Sequence, residues 1–201
     1  MSFSPDHDLR VSDGMLALVV GPSGAGKDSL IGRARAALGQ DRRFVFARRV
    51  VTRPASDEDH DTLDDLNFRR AEETGGFLLS WRAHGLAYGI PASVRDDLAR
   101  GRVVVANVSR AAVPAAEGLG VCVRVLHVSA SWAILAARIA ARGRETTSDI
   151  ERRLAREADL RTQRARIVEI RNDGPLDHGA ALFIDALKDC VSRPKASVRQ
   201  A

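Results

Sequence analysis

Residues 15–20 are a short unbroken apolar run of the kind a strand buried on both faces requires, and residues 28–38 repeat their apolar positions at helical spacing. They predict a β-strand followed by an α-helix. Residues 44–51 alternate enough to predict a second strand, 67–73 a helix, 77–81 a short strand, and 94–100 a helix that Gly101 ends. Buried strands are expected again at 102–108, 121–128 and 167–170, with helices at 131–142 and 176–191. In the helix at 131–142 the apolar positions are Trp132, Leu135, Ala136 and Ile139. Strands alternating with helices in this way predict an α/β fold, a parallel sheet flanked by helices. Polar stretches interrupt it. The acidic cluster Asp57, Glu58, Asp59, His60 and Asp61, within 55–65, predicts a mobile surface loop, and 192–201 a disordered polar tail.

Composition narrows this picture in four respects. The 201 residues suffice for one α/β domain, expected over 15–191 behind a polar segment at 1–14. No apolar run approaches the ~20 residues that span a bilayer, and the polar start with Pro5, Asp6, His7 and Asp8 is unlike a signal peptide, so a cytoplasmic protein with no membrane partner is expected. Cys122 and Cys190 are far apart and suggest neither a disulfide framework nor a zinc site. The net charge of +5 comes with only 4% aromatic residues, so a small anionic ligand is expected and nucleic acid is not.

Between the first strand and helix stands Gly21-Pro22-Ser23-Gly24-Ala25-Gly26-Lys27-Asp28-Ser29. Strand, glycine loop and helix together make a phosphate cradle: backbone N–H groups face an anion, the helix dipole adds to them, and Lys27 reaches the outer phosphates. In the usual spacing a hydroxyl follows the lysine to ligand Mg²⁺. Here Asp28 stands there and Ser29 comes one residue late, so Asp28 either ligands Mg²⁺ or only complements the dipole. The strand at 102–108 ends in Asn107 and Ser109 without the acid that often helps hold Mg²⁺, which favours Asp28 as ligand. Arg48, Arg49, Thr52 and Arg53 lie at the end of the second predicted strand, the edge where ligands bind in open α/β sheets. Tyr88, the one tyrosine, either offers its hydroxyl to a phosphate or packs in the core. The arginine-rich turn at 143–148 predicts a lid, with Arg142 and Arg153 chosen for the transferring phosphoryl group. The roles of His60 and His84 are open.

In this order the parts resemble the guanylate kinase branch of the P-loop kinases over about 16–189. The matching residues are Gly21 to Lys27, Thr52-Arg53-Pro54, Phe77-Leu78, His84-Gly85, Tyr88-Gly89, Arg142-Gly143, Arg153-Leu154 and Asn172-Asp173. The resemblance implies a P-loop NTPase fold with ATP as co-substrate and Mg²⁺. It also implies a monophosphate-binding insert at about 49–91, a lid at about 142–153, and Asn172 beside the adenine. Two positions depart from it. Where the guanylate kinase pattern reads the purine with a serine and a glutamate, this chain has Arg49 and Leu79, which disfavours GMP.

The exchange is similar to that in the ribose 1,5-bisphosphate phosphokinases of phosphonate catabolism. They share the aspartate after the loop lysine, Arg49-x-x-Thr52-Arg53-Pro54 with Glu58-Asp59-His60, and Trp81-x-Ala83-His84-Gly85-Leu86-x-Tyr88-Gly89-Ile90-Pro91. That resemblance implies a transferase: ATP-dependent phosphorylation of ribose 1,5-bisphosphate to 5-phospho-α-D-ribose 1-diphosphate and ADP. Arg49, Arg53 and Tyr88 would hold the phosphorylated sugar. Two alternatives are a nucleoside-monophosphate kinase of altered base preference and a non-catalytic binding module. Oligomeric state is not legible.

Overall fold

The computed structural model describes residues 14–54, 60–141 and 160–191. Its centre is a five-stranded, all-parallel sheet in the order β2-β7-β1-β8-β9. The strands are β1 (Met15–Val20), β2 (Phe44–Phe46), β7 (Val103–Asn107), β8 (Cys122–Ser129) and β9 (Arg166–Arg171). β1 lies in the middle because every one of Leu16 to Val20 is buried, as a strand covered on both faces demands. Its alternate residues feed two cores. Ala17 and Val19 face the helices α1 (Lys27–Leu38) and α6 (Leu176–Val191), with Leu30, Ala34, Phe183 and Leu187; Leu16, Leu18 and Val20 face Leu98, Val113 and Ile90 on the other side. Among the described residues, no helix is long and apolar enough to cross a membrane.

A second, four-stranded sheet runs β4-β3-β6-β5, with β3 (Arg49–Val51), β4 (His60–Thr62), β5 (Phe77–Ala83) and β6 (Leu86–Pro91). This corrects the single strand expected at 44–51. Phe44 to Phe46 pair with Val103 to Val105 in the main sheet, and Ala47 makes one more backbone bond to Val105; the chain then leaves, and Val50 and Val51 pair with Gly89 and Tyr88. A strand pairing in two sheets has to break. It does so at Ala47-Arg48, where adjacent charges follow that cannot both point into a core.

The surface loop expected at 55–65 is also revised where it is described. His60 to Thr62 form β4, and Asp64 caps α2 (Asp65–Glu73) by accepting the Asn67 N–H at 2.8 Å. The short strand expected at 77–81 continues to Ala83 and turns at His84-Gly85, both at positive φ (53° and 74°). That two-residue turn needs left-handed backbone at both positions, which gives His84 a structural role. Two further helices, α3 (Val94–Ala99) and α4 (Val113–Glu117), cover the second core, and α5 (Trp132–Ala140) packs beside the loop. In α5 the buried stripe is Leu135 and Ile139, whereas Trp132, also an apolar position, is 58% exposed.

Candidate active site

The parallel sheet delivers its C-terminal ends to one edge. Asn107 ends β7 opposite Val19, and Val20 of β1 lies beside His127 of β8, with Asn172 just beyond β9. The glycine loop sits at this edge. Gly21 has φ 143°, and a Cβ there would stand 2.0 Å from the Val128 carbonyl, so only glycine lets the chain turn this close to β8. Gly26, at φ 91°, is the N-cap of α1 and supplies no side-chain acceptor to the first turn of N–H groups. A helix opening of this kind offers its donors and its dipole to an anion. Lys27 lies across the loop, its Nζ donating to the Gly21 and Pro22 carbonyls at 2.8 Å each. From α5, Arg138 donates to the Gly24 carbonyl at 3.4 Å.

Asp28 occupies the first turn of α1, and Asn107 Nδ2 donates to its Oδ1 at 2.7 Å. The strand end that lacks an acid is therefore in direct contact with the acid that follows the lysine. A cavity of about 120 Å³ opens beside them, lined by Asp28, Asn107, Arg35, Ala47, Val105 and Arg49. It joins the glycine loop's helix to the first residue of the second sheet.

Arg49 is held by stacking. Its guanidinium lies 5.9 Å from the centre of the Tyr88 ring, and Tyr88 in turn stacks on Trp81, the cross-strand neighbour, at 5.3 Å and 8°. Leu79, which replaces the glutamate of the guanylate kinase pattern, is 6% exposed and packed in the second core with Leu78 and Ile90. It offers no hydrogen bond to a base edge.

Arg53 donates from Nε to His60 Nε2 at 3.4 Å, and Arg48 pairs with Asp61 at 3.1 Å while donating to the His60 carbonyl. His60, left open in the sequence, is only 5% exposed and joins two of the expected anion-binding arginines to β4. Thr52 accepts the Ala87 N–H, tying β3 to β6 next to Tyr88.

Asn172, expected beside the adenine, is 2% exposed, and its Nδ2 donates to the Ala25 carbonyl at 2.8 Å. Asp173 accepts from Arg171 Nε and from the Ser131 N–H, and these bonds, Arg171's first, hold its carboxyl below the usual range. Arg142 and Arg153, with the lid expected at 142–153, lie outside the described residues.

Sequence reasoning singled out the loop, Asp28, Arg49, Arg53 and Tyr88, of which the structure brings Asp28 and Arg49 to one cavity and sets Tyr88 against Arg49. It did not find the stacking role of Trp81 or the burial of His60, and it noted Asn107 only for lacking a charge. The signal at Asn107 was its place at the end of a strand next to the loop strand.

No protein-family model matches the chain. Among solved structures it is similar to a guanylate kinase from Anaplasma phagocytophilum, with a TM-score of 0.61 and 15% identity over 91% of this chain and 89% of that one, a likeness of fold. Two bacterial proteins resemble it in sequence over nearly their full length. One from Methylobacterium radiotolerans is 49% identical over 88% of this chain and 99% of its own length; one from Brucella melitensis is 43% identical over 88% and 93%. Both are named ribose 1,5-bisphosphate phosphokinase PhnN. With a P-loop kinase fold, and with arginine and leucine where the guanylate kinase pattern has serine and glutamate, the chain belongs to the ribose 1,5-bisphosphate phosphokinase family.

Proposed function

We propose that this protein transfers the γ-phosphoryl group of ATP to the 1-phosphate of ribose 1,5-bisphosphate, giving 5-phospho-α-D-ribose 1-diphosphate and ADP. The family relation supports the activity. The observation that carries the residue assignment is a cavity bordered by both Asp28 at the donor loop and Arg49 at the acceptor sheet. Donor and acceptor groups must meet in one such space for an in-line transfer.

An oxygen of the anomeric phosphate attacks the γ-phosphorus, and the bond from that phosphorus to the oxygen of ADP breaks. The nucleophile is already ionised, so no side chain has to remove a proton. The residues position the reactants and balance charge. Lys27 and the backbone N–H groups of Gly21, Ser23, Gly24 and Gly26 hold the donor phosphates. Arg49, steadied on Tyr88, takes a phosphate of the acceptor, with Arg53 fixed beside it by His60 and the Tyr88 hydroxyl as a further donor. Arg142 and Arg153 are assigned to the transferred group on the resemblance alone.

Mg²⁺ fits this donor set. Asp28 is exposed, keeps Oδ1 oriented by Asn107, and presents hard carboxylate oxygen, with the Ser29 hydroxyl one residue on. No group of three or more His, Cys, Asp or Glu among the described residues could hold a metal. Asp28 and Ser29 would thus hold a cation that arrives with the nucleotide. When bound, it supplies neutralisation of the phosphate charge.

The test is an acceptor panel with MgATP, read by formation of the sugar diphosphate. Ribose 1,5-bisphosphate should be the most efficient acceptor. A nucleoside monophosphate phosphorylated with higher kcat/KM would refute the assignment, and no transfer to any acceptor would favour a binding module.

A further inference from the structure

Asn172 is almost wholly enclosed, yet among the described residues its Oδ1 meets no hydrogen-bond donor. A buried carbonyl oxygen without a partner is destabilising, and a side chain serving only to fill space would avoid it by being apolar. The other end of the amide has a partner. Nδ2 donates to the Ala25 carbonyl, 147 residues earlier in the chain, while the Asn172 backbone N–H donates to Ser129 at the end of β8 at 2.8 Å. Two glycines make room for it. A Cβ on Gly26 would lie 2.5 Å from Nδ2, and one on Gly179 would lie 2.4 Å from Oδ1.

The peptide joining Ala25 to Gly26 is planar and trans, so its C=O and N–H point in opposite directions. Drawing the carbonyl inward to a buried amide turns the Gly26 N–H outward. That N–H belongs to the N-cap of α1, directly before Lys27.

We infer that Asn172 is a positioning residue for phosphate binding: by holding the Ala25 carbonyl it aims the Gly26 amide at a nucleotide phosphate, and it takes no part in reading the base. This rests on the phosphate-loop reading above. It differs from a contact with adenine in one measurable way, because a ligand with no base at all must feel the loss.

The experiment titrates wild type, Asn172→Ala, Asn172→Asp and Gly179→Ala with inorganic tripolyphosphate, ATP and GTP by calorimetry, alongside a melting curve for each protein. Asn172→Asp keeps the shape and turns an oxygen toward the Ala25 carbonyl; Gly179→Ala displaces the amide from the far side without touching the loop. The expected result is a loss of about tenfold or more in affinity, equal for tripolyphosphate and ATP, with the ratio of ATP to GTP affinity unchanged. Weakened ATP with unchanged tripolyphosphate would mean base reading and overturns the inference. Unchanged binding with a lowered melting temperature, or failure of all three variants to fold, makes the role structural and overturns it as well. A wild type that ignores tripolyphosphate sinks the phosphate loop itself. A wild type that binds it but leaves ribose 1,5-bisphosphate untouched refutes the proposed acceptor while the titrations still decide the role of Asn172.

Discussion

Glu117, the last residue of α4, is the acceptor for a turn that leads into β9 and so toward Asn172 and Asp173. Its carboxylate takes hydrogen bonds from the Thr162 hydroxyl and from the backbone N–H groups of Gln163, Arg164 and Ala165. Burial pushes the carboxyl up, but the Thr162 hydroxyl and the three amides outweigh it and bring it down to about 2 from 4.5. A shift of that size corresponds to about 3 kcal/mol of folding stability, or about 2 kcal/mol once solvent screening of a partly exposed group is allowed for. The folded value lies below the unfolded one. The contribution is therefore complete above roughly pH 4.5 and fades as pH falls toward 2. Glu117→Gln keeps the size and removes the charge. At pH 7 it should unfold in urea with about 2 kcal/mol less stability than wild type, and at pH 3.5 the gap should narrow to about 1 kcal/mol. An equal gap at both pH values, or none at pH 7, would refute the reasoning.

Lys27→Ala should lower turnover by ~10³-fold while shifting the melting temperature little, since its Nζ bonds run to carbonyls of its own loop; steady-state kinetics beside a thermal melt checks both. Arg49→Met should raise KM for the phosphorylated sugar by roughly 10- to 100-fold, the worth of a charge-assisted bond to phosphate, and leave KM for ATP near wild type; a matching rise for ATP would place Arg49 on the donor instead. Asn107→Ala, which frees the Asp28 carboxylate to rotate, should raise the Mn²⁺ concentration needed for half-saturation of the protein–ADP complex several-fold, measured by electron spin resonance, and an unchanged value would detach Asp28 from the metal.

The parts that were legible are those whose reasons are local. The glycine loop, the buried runs of the main sheet and the closing helix declare themselves because periodicity and loop chemistry act over a few residues. Partner choice does not act locally. Phe44 to Val51 reads as one strand because alternation reports burial, and nothing in eight residues says that two sheets share them. His60 sits in an acidic run that reads as solvated, yet pairing between β3 and β4 encloses it. Asp28 and Asn107 meet across 79 residues and Ala25 and Asn172 across 147, contacts that only the parallel order of strands creates. Trp81 was visible as an apolar strand residue, but its stacking on Tyr88 needs the register of the hairpin that His84 and Gly85 set.

The column of Arg49, Tyr88 and Trp81 spans three rungs on three neighbouring strands, β3, β6 and β5. A cation resting on an aromatic shelf loses little freedom when an oxyanion arrives, so much of the ordering is done during folding. It also ties the choice of acceptor to a unit larger than one codon. Exchanging Arg49 for a small hydroxyl leaves the Tyr88 ring without its cation, and exchanging Tyr88 removes the shelf under the guanidinium; a change of acceptor on this scaffold has to move the layers together.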